Sequence, residues 1–353
     1  MMGYDPAAPV SVVLPTREWT GACDELTAQT TPADEFIVVC DRSTDPVVEA
    51  AAERAATVVV AGEPEGCSAK CNALAAGLER ATHDRLVCTD ADFEHGDEWV
   101  DTVRRRLARV PDGHVLSTAP VLASEGPLGK LLEPSSVVGV AATVRFDTGV
   151  WGGTMAFRRG DIDLGAFVAD LRRTIGDDAL LAERADGVEA SRSLVREMPV
   201  DGTLRGTLAR RVRWTRMGLY LGPAGIASRA LLSLAVVLGA LFAPLVTVPL
   251  VTGVAAAAYA ALGVRRWTFL LAVPGYALAL ALLCYGLVRV EFEWSGRRYR
   301  WPSLYDVTVC DRGEEVATDG GSARDLPDDA NNLGPAGVET DETGGAAQCR
   351  RDR

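Results

Sequence analysis

Apolar residues fall along this chain in three regimes. From position 10 to about position 160 they come as short runs separated by Ala- and Leu-rich stretches of helical spacing. Runs at 10–16, 35–41, 57–62 and 84–93 alternate with predicted helices at 21–29, 46–55 and 66–82. A short, fully apolar run marks a strand buried on both faces. Strand and helix alternating at this interval predict an α/β domain with a parallel sheet and right-handed crossovers. Further along, the pattern predicts a helix at 99–110, strands at 114–121 and 151–158, and a helix at 163–173. Asp177-Asp178 then opens another helix, 188–200 is strand-like, and 205–218 is a basic amphipathic helix. The mildly apolar stretch 126–144 reads either as an amphipathic segment lying on a surface or as a buried loop and helix.

In the second regime charge disappears. Residues 230–264 hold no charged side chain across 35 positions, and 267–288 none across 22. About 20 apolar residues span a bilayer, so the later stretch predicts one transmembrane helix. The earlier one is too long for a straight span, and Pro244 and Pro249 are expected to break or kink it. Arginines flank the region: Arg210, Arg211, Arg213, Arg216 and Arg229 before it, Arg289, Arg297, Arg298 and Arg300 after it. A two-helix hairpin keeps both clusters cytoplasmic, as positive charge favours, but puts Arg265 and Arg266 outside. Three spans relieve that and move the carboxyl terminus outside, so two and three both stay open. In the third regime, beyond Cys310, the chain is acidic and rich in Gly and Asp, with no core to bury, and is expected to be disordered. The resulting division is a cytoplasmic catalytic domain at 1–222, a membrane region at 223–290, a short cytoplasmic segment at 291–310 and a tail at 311–353.

Charge narrows the function. A formal net charge of −12 excludes a general nucleic-acid binder, which needs clustered Lys and Arg. Lysine occurs only at positions 70 and 130, and the acidic excess suggests a salt-adapted cytoplasm. The eight cysteines form no Cys-x-x-Cys pair and no zinc set. They read as small buried hydrophobes in a reducing compartment. His95, close in sequence to Asp92, reads as a surface-loop residue rather than a ligand. Residues 1–9 are short and polar, without the pattern of a signal peptide.

The candidate chemistry sits at strand ends. A parallel sheet brings Thr16, Asp41 and the pair Asp90/Asp92 to one edge, where ligands bind in open α/β sheets. Two carboxylates one residue apart can hold a divalent cation and, through it, phosphates; the plain alternative is a loop or capping pair. Neither a Gly-x-Gly-x-x-Gly turn nor a phosphate loop with its lysine occurs, which disfavours dehydrogenases and P-loop enzymes. Gly152 and Gly153 permit close backbone approach to a ligand, or simply a bulge. An N-cap accounts for one of Asp177 and Asp178 but not both. Lys70 reads as a phosphate contact or a solvated helix lysine. The basic run 210–214 reads as an anion contact or a juxtamembrane helix on anionic lipid.

Taken in order, these motifs resemble a family 2 glycosyltransferase of GT-A fold, in the ceramide-glucosyltransferase-like branch with carboxyl-terminal membrane helices. The motifs are Pro15-Thr16; Asp41 followed by Ser43, Thr44 and Asp45; Lys70-Cys-Asn72-Ala-Leu74; Asp90-Ala-Asp92; Gly152-Gly153-Thr154-Met-Ala-Phe-Arg158; Asp177-Asp178; and Arg210-Arg-Val-Arg213-Trp214. The sequence departs in having Asp-Asp where Glu-Asp is common, and Arg17-Glu18 after the first strand's proline. The resemblance implies a UDP- or GDP-linked sugar donor contacted by Thr16, Asp41, Lys70, Asp90, Gly153 and Arg210. It implies Mg²⁺ or Mn²⁺ on Asp92 with Asp90, and Asp178, beside Asp177, as general base. Arg213 would offset the diphosphate charge and Trp214 would line the sugar or acceptor pocket. It also implies an inverting transfer to a lipid, of glycolipid or polyprenyl-phosphate type, on the cytoplasmic face of the cell membrane. A processive polysaccharide synthase shares the Arg-Trp motif but needs a translocation channel, for which two or three helices are few. A non-catalytic, membrane-anchored nucleotide-sugar-binding protein is the rival from another class.

Overall fold

The structure is a computed structural model describing residues 7–124 and 126–312. In chain order it forms β1 (Val10–Pro15), α1 (Gly21–Gln29), β2 (Glu35–Cys40), α2 (Pro46–Ala51), β3 (Thr57–Val60), α3 (Ala69–Arg80), β4 (Arg85–Cys88) and α4 (Trp99–Leu107). Next come β5 (His114–Ser117), β6 (Val121–Ala123), α5 (Pro127–Phe146), β7 (Met155–Arg158), α6 (Leu164–Leu171), α7 (Asp177–Arg184), β8 (Gly187–Ala190), β9 (Glu197–Pro199) and α8 (Leu204–Leu221). The apolar helices α9 (Pro223–Phe242), α10 (Pro244–Leu262) and α11 (Ala272–Leu287) follow, then β10 (Glu291–Trp294), β11 (Arg297–Ser303) and β12 (Asp306–Arg312).

A seven-stranded sheet in the order β3-β2-β1-β4-β7-β5-β8 forms the centre. As the run-and-helix pattern predicts, β1 to β4 are parallel to one another. β7 departs, running antiparallel to both β4 and β5. Both faces of the central strands β1, β2 and β4 are covered, which is why their runs are mainly apolar. Val13, Ile37, Val39 and Leu86 pack to one side with Leu74, Leu78 and Phe167. The alternate residues Val12, Leu14, Val38 and Val87 pack to the other with Leu26, Trp99 and Val103. That alternation is the period-two geometry of a strand.

Several expectations change in detail. The strand at 84–93 is shorter: β4 ends at Cys88, and Asp90 and Asp92 lie in the turn beyond it. The strand-like stretch 188–200 is β8, a 3₁₀ turn at Arg192–Leu194, and β9. The stretch 126–144 is one helix, α5, whose Val137 and Val140 pack with Ala258 and Tyr259 of α10. His95 is fully buried rather than on a surface loop; its Nε2 is 2.8 Å from Thr89 Oγ1, and burial pulls its pKa down to about 4. Of the seven free cysteines among the described residues, five are buried, while Cys284 is exposed.

The long uncharged stretch is two helices. α9 ends at Phe242 and α10 starts at Pro244, a favoured first position for proline. Pro249 lies within α10. Together with residues 267–287, that makes three helices among the described residues long and apolar enough to cross a membrane. Residues 291–310 are more than a connecting segment. They form an antiparallel sheet in the order β10-β11-β12, whose Phe292, Tyr299, Trp301 and Val307 pack with Val212 of α8 and Ile175. The expectation for 311–353 falls almost wholly outside the described residues.

Candidate active site

The strand ends open into a cleft of about 700 Å³. Its wall includes Thr16, Asp41, Lys70, Asp90, Asp92, Asp177, Asp178, Arg210, Arg213 and Trp214. Three parallel strands deliver the first group. Thr16 N donates to Val39 O at 2.9 Å and Thr89 N donates to Val13 O at 3.1 Å, which aligns the ends of β1, β2 and β4. Asp41 follows β2 directly. Helix α3, capped by Ser68 Oγ accepting from Cys71 N, brings Lys70 across to the end of β4.

Lys70 sits among the acids. Its Nζ is 2.6 Å from Asp90 Oδ1 and 2.8 Å from Asp177 Oδ2. Burial works against its charge, but Asp177, Asp90 and Asp178 outweigh burial and hold the ammonium well above its usual pKa. Lys70 is therefore neither a solvated helix lysine nor free to swing outward. It neutralises acids that would otherwise stand side by side. Burial raises Asp90 above the ordinary carboxylate range despite Lys70. Burial, and then the neighbouring Asp177, push Asp178 up to about 7. Asp178 Oδ1 accepts from Ala179 N at 2.7 Å, at the first turn of α7.

The opposite wall is α8, capped by Thr203 Oγ1 accepting from Gly206 N at 3.1 Å. Arg213 projects from it toward the acids. Burial lowers its pKa, opposed first by Asp178 and then by Asp177 and Asp90. Its guanidinium lies 3.9 Å from the centre of the Trp294 ring. Trp214 meets Trp151 edge-on at 5.8 Å between centroids and has Arg210 and Arg211 each at 5.7 Å. Arg210 also donates to Asp201 O at 3.1 Å.

Of the two glycines, Gly152 lines the cleft. A Cβ there would run into Lys70 Nζ and come within 3.1 Å of Asp90 Oδ2 and 3.3 Å of Asp177 Oδ2. Gly153 instead turns toward Phe93, and its carbonyl accepts from Thr89 Oγ1 at 2.7 Å. Arg158, at the far end of the same strand, donates to the carbonyls of Leu107, Val110 and Pro111 and so anchors β7.

Asp92 is exposed in the cleft and makes no ion pair among the described residues. No three His, Cys, Asp or Glu side chains among the described residues form a ready metal set. Asp90 and Asp92 offer carboxylate oxygens, the ligand type that hard cations take.

Sequence reasoning missed one wall of the cleft. Glu293, Trp294, Ser295 and Arg297, from the β10–β11 hairpin, line it too. The signal was present: in 297–301 Arg297, Tyr299 and Trp301 are buried and Arg298 and Arg300 exposed. That alternation follows a Ser295-Gly296 turn, both residues at positive φ, as a tight hairpin needs. In the sequence alone the run reads as a flanking cluster of positive charge.

The family model described as glycosyl transferase family 21 matches residues 32–300, about three quarters of the chain. The chain belongs to glycosyl transferase family 21. This is the ceramide-glucosyltransferase group of GT-A type that the motif order resembles. The protein is a glycosyltransferase, using a nucleotide sugar, and the match extends past the apolar helices into the β10–β11 hairpin. Among solved structures it is similar to a mannosyltransferase from Pyrobaculum calidifontis in complex with GDP-Man and Mn²⁺. That pair has 20% identity and a TM-score of 0.42, covering 80% of this chain and 86% of the other. It is also similar to glucosyl-3-phosphoglycerate synthase from Mycobacterium tuberculosis in complex with Mn²⁺ and UDP-glucose. There the identity is 18% and the TM-score 0.40, covering 59% and 77%. No curated protein matches the chain.

Gly152→Ala tests the floor of the cleft. The added methyl displaces Lys70 from between Asp90 and Asp177, and turnover of UDP- and GDP-linked sugars is expected to fall at least ~10-fold, the effect of a small misplacement at a reacting centre. The thermal unfolding midpoint should fall as well, because a displaced lysine leaves buried acids unpaired; unchanged turnover would mean the Lys70 position is immaterial.

Proposed function

We propose that the protein is an inverting, metal-dependent glycosyltransferase that moves a sugar from a UDP- or GDP-linked donor to a lipid hydroxyl or lipid phosphate at the membrane surface. The observation that carries this reading is the junction of the cleft with the apolar helices. Arg213 and Trp214 stand on α8 about two and a half helical turns, roughly 14 Å, before α9 begins. The C-terminal half of α8 packs on α11, where Gly286 lies against Thr215 and Arg211. A lipid head group in the bilayer surface is thus within reach of the acids, while the donor enters from water.

Asp178 is the base in this reading. Its pKa of about 7 lies near neutrality, where a carboxylate is a stronger base than an ordinary aspartate. The acceptor hydroxyl passes its proton to Asp178 as its oxygen attacks the anomeric carbon. The bond from that carbon to the donor's phosphate oxygen breaks on the opposite side, so the configuration inverts. Arg213, partly stripped of water and stacked on Trp294, faces the departing diphosphate. Lys70 keeps Asp90 and Asp177 in place. A Mg²⁺ or Mn²⁺ ion held by Asp92 and Asp90 would supply charge that stabilises the diphosphate as it leaves.

The same arrangement supports a definite membrane topology. Arg213 precedes the apolar helices and Arg297 follows them, yet both line one cleft, so the chain between them crosses an even number of times. α9 and α10, joined through Ala243 alone and packed where Gly239 meets Thr247, supply two crossings. The tip residues Phe242 and Leu245 are among the most exposed apolar side chains. On return, Arg266 pairs with Glu133 of α5 and with Glu197 of β9. Both ends of α11 are held at the catalytic domain. Thr268, just before it, bonds Glu133, and Arg216 of α8 donates to Leu287 O and Arg289 O at its end. α11 then lies along the domain at the bilayer surface, and Arg265 and Arg266 are cytoplasmic, in line with the positive-inside bias.

A protonated Asp178 cannot accept the acceptor's proton, so activity is present above its raised pKa and lost below it. The kcat/KM for a sugar nucleotide with membrane lipid extract should rise with pH through an ascending limb near 7. Asp178→Asn should lower it by ~10²–10⁴-fold, the usual worth of a general base; undiminished transfer excludes Asp178 from that role. For the topology, single cysteines replacing Leu245 and Arg265 are labelled in sealed vesicles with an impermeant maleimide, in a background without Cys284, Cys310 and Cys349. Leu245→Cys should react only from the face opposite the catalytic domain, and Arg265→Cys only from its own face. Labelling of both from one face would contradict a crossing hairpin.

A further inference from the structure

The Asp41 end of the cleft is closed by a residue from beyond the membrane helices. Arg297, the first residue of β11, is 5% exposed although it is a guanidinium at a loop tip. Its Nη1 donates to Asp41 Oδ2 at 2.7 Å, and its Nη2 to Glu63 Oε2 at 3.0 Å. Asp41 is itself 6% exposed, yet it lines the cleft. Its Oδ1 accepts no hydrogen bond among the described residues. The backbone holds the loop that carries it: the N–H groups of Asp41 and Arg42 donate to Asp45 Oδ2 at 3.0 and 2.8 Å. The hairpin that delivers Arg297 is fixed independently. Ala69 N donates to Tyr299 OH at 3.3 Å, and Tyr220 OH donates to Trp301 O at 2.9 Å.

A carboxylate with one oxygen clamped and the other free is a directional acceptor. It suits a base whose edge offers a ring N–H, as uracil and guanine do. Cytosine and adenine present a ring-nitrogen lone pair at the equivalent position, and a carboxylate repels it. Arg297 cannot serve as a phosphate ligand, because both arms of its fork are taken by acids. Left without Arg297, Asp41 would rotate or turn to water, and the base-reading geometry would be lost.

We propose that Arg297 is a positioning residue for the donor's nucleobase: it clamps Asp41 so that the free oxygen reads a ring N–H, favouring uracil or guanine over cytosine or adenine. The β10–β11 hairpin then completes the donor site from the far end of the membrane region, with Trp294 steadying Arg213 at the phosphate end and Arg297 steadying Asp41 at the base end. This rests on the reading of the cleft as the nucleotide-sugar site.

The test is competition binding of UDP, GDP, CDP and ADP to the full chain in detergent with Mn²⁺, for the wild type, Arg297→Met and Arg297→Lys. The wild type should bind UDP or GDP at least ~10-fold more tightly than CDP and ADP, as one hydrogen bond to a charged group supplies. In Arg297→Met that preference should collapse below about threefold. Arg297→Lys, which keeps a cation but loses the fork, should give an intermediate ratio, and it carries the test if the Met variant does not fold. A wild-type ratio retained in either variant, or equal weakening of all four nucleotides, overturns the proposal, since a merely structural hairpin would weaken every nucleotide alike. A wild type that binds all four equally also overturns it. A wild type that binds none of them instead overturns the reading of the cleft.

Discussion

The structure turns on one ammonium group. Lys70 lies between Asp90 and Asp177, with Asp178 alongside and Arg213 across the cleft. Those side chains come from α3, the turn after β4, α7 and α8, so a single charge cluster joins four separate parts of the catalytic domain. Asp177 and Asp178 are buried and Asp90 partly so, and removing one member of such a cluster costs about 3–5 kcal/mol. The balance is deliberately incomplete. One lysine offsets part of three carboxylates and leaves Asp178 with a pKa near neutrality. Gly152 exists as glycine because the cluster leaves no room for a methyl group above it.

Around that centre the apolar helices pack directly onto the domain that holds the cleft. α8 carries Arg213 and Trp214 on its cleft side and packs on α9 and α11 further along. The buried carboxylate of Glu133 collects Tyr259, Thr268 and Arg266, fixing the base of the α9–α10 hairpin to α5. After α11 the chain returns to close the cleft with β10 and β11. The cleft, the apolar helices and the β10–β11 hairpin are therefore one continuous packing problem.

Much of this was legible in the sequence, and the reasons are physical. Strands buried on both faces write themselves as uninterrupted apolar runs, so β1, β2 and β4 and their shared edge were readable, and with them Thr16, Asp41, Asp90 and Asp92. The acid pair at 177–178 stood out because an N-cap would explain only one carboxylate; in the structure Gly176 is the N-cap, so capping explains neither. What local pattern could not supply was pairing between distant segments. Nothing near Lys70 says that its partners are 20 and 107 positions away in sequence, at Asp90 and Asp177. Arg297 reaches Asp41 across 256 positions, and its run looked like ordinary juxtamembrane charge. His95 misled in the opposite direction: a histidine amid Asp, Glu and Gly reads as a loop residue, while Glu25 and Thr89 on other elements give it a buried seat. The division of 230–264 was half visible, since Pro244 marked the break but not the return of α10 against α9.

The most direct test of the whole account is product analysis. Purified protein with Mn²⁺ is incubated with a total membrane lipid extract and UDP- or GDP-linked sugars labelled at the anomeric carbon, and the organic phase is examined by NMR and mass spectrometry. The account predicts a lipid carrying one sugar, its anomeric configuration inverted relative to the donor. Label confined to the aqueous phase, a long polymer, or a lipid-linked sugar of retained configuration would contradict it.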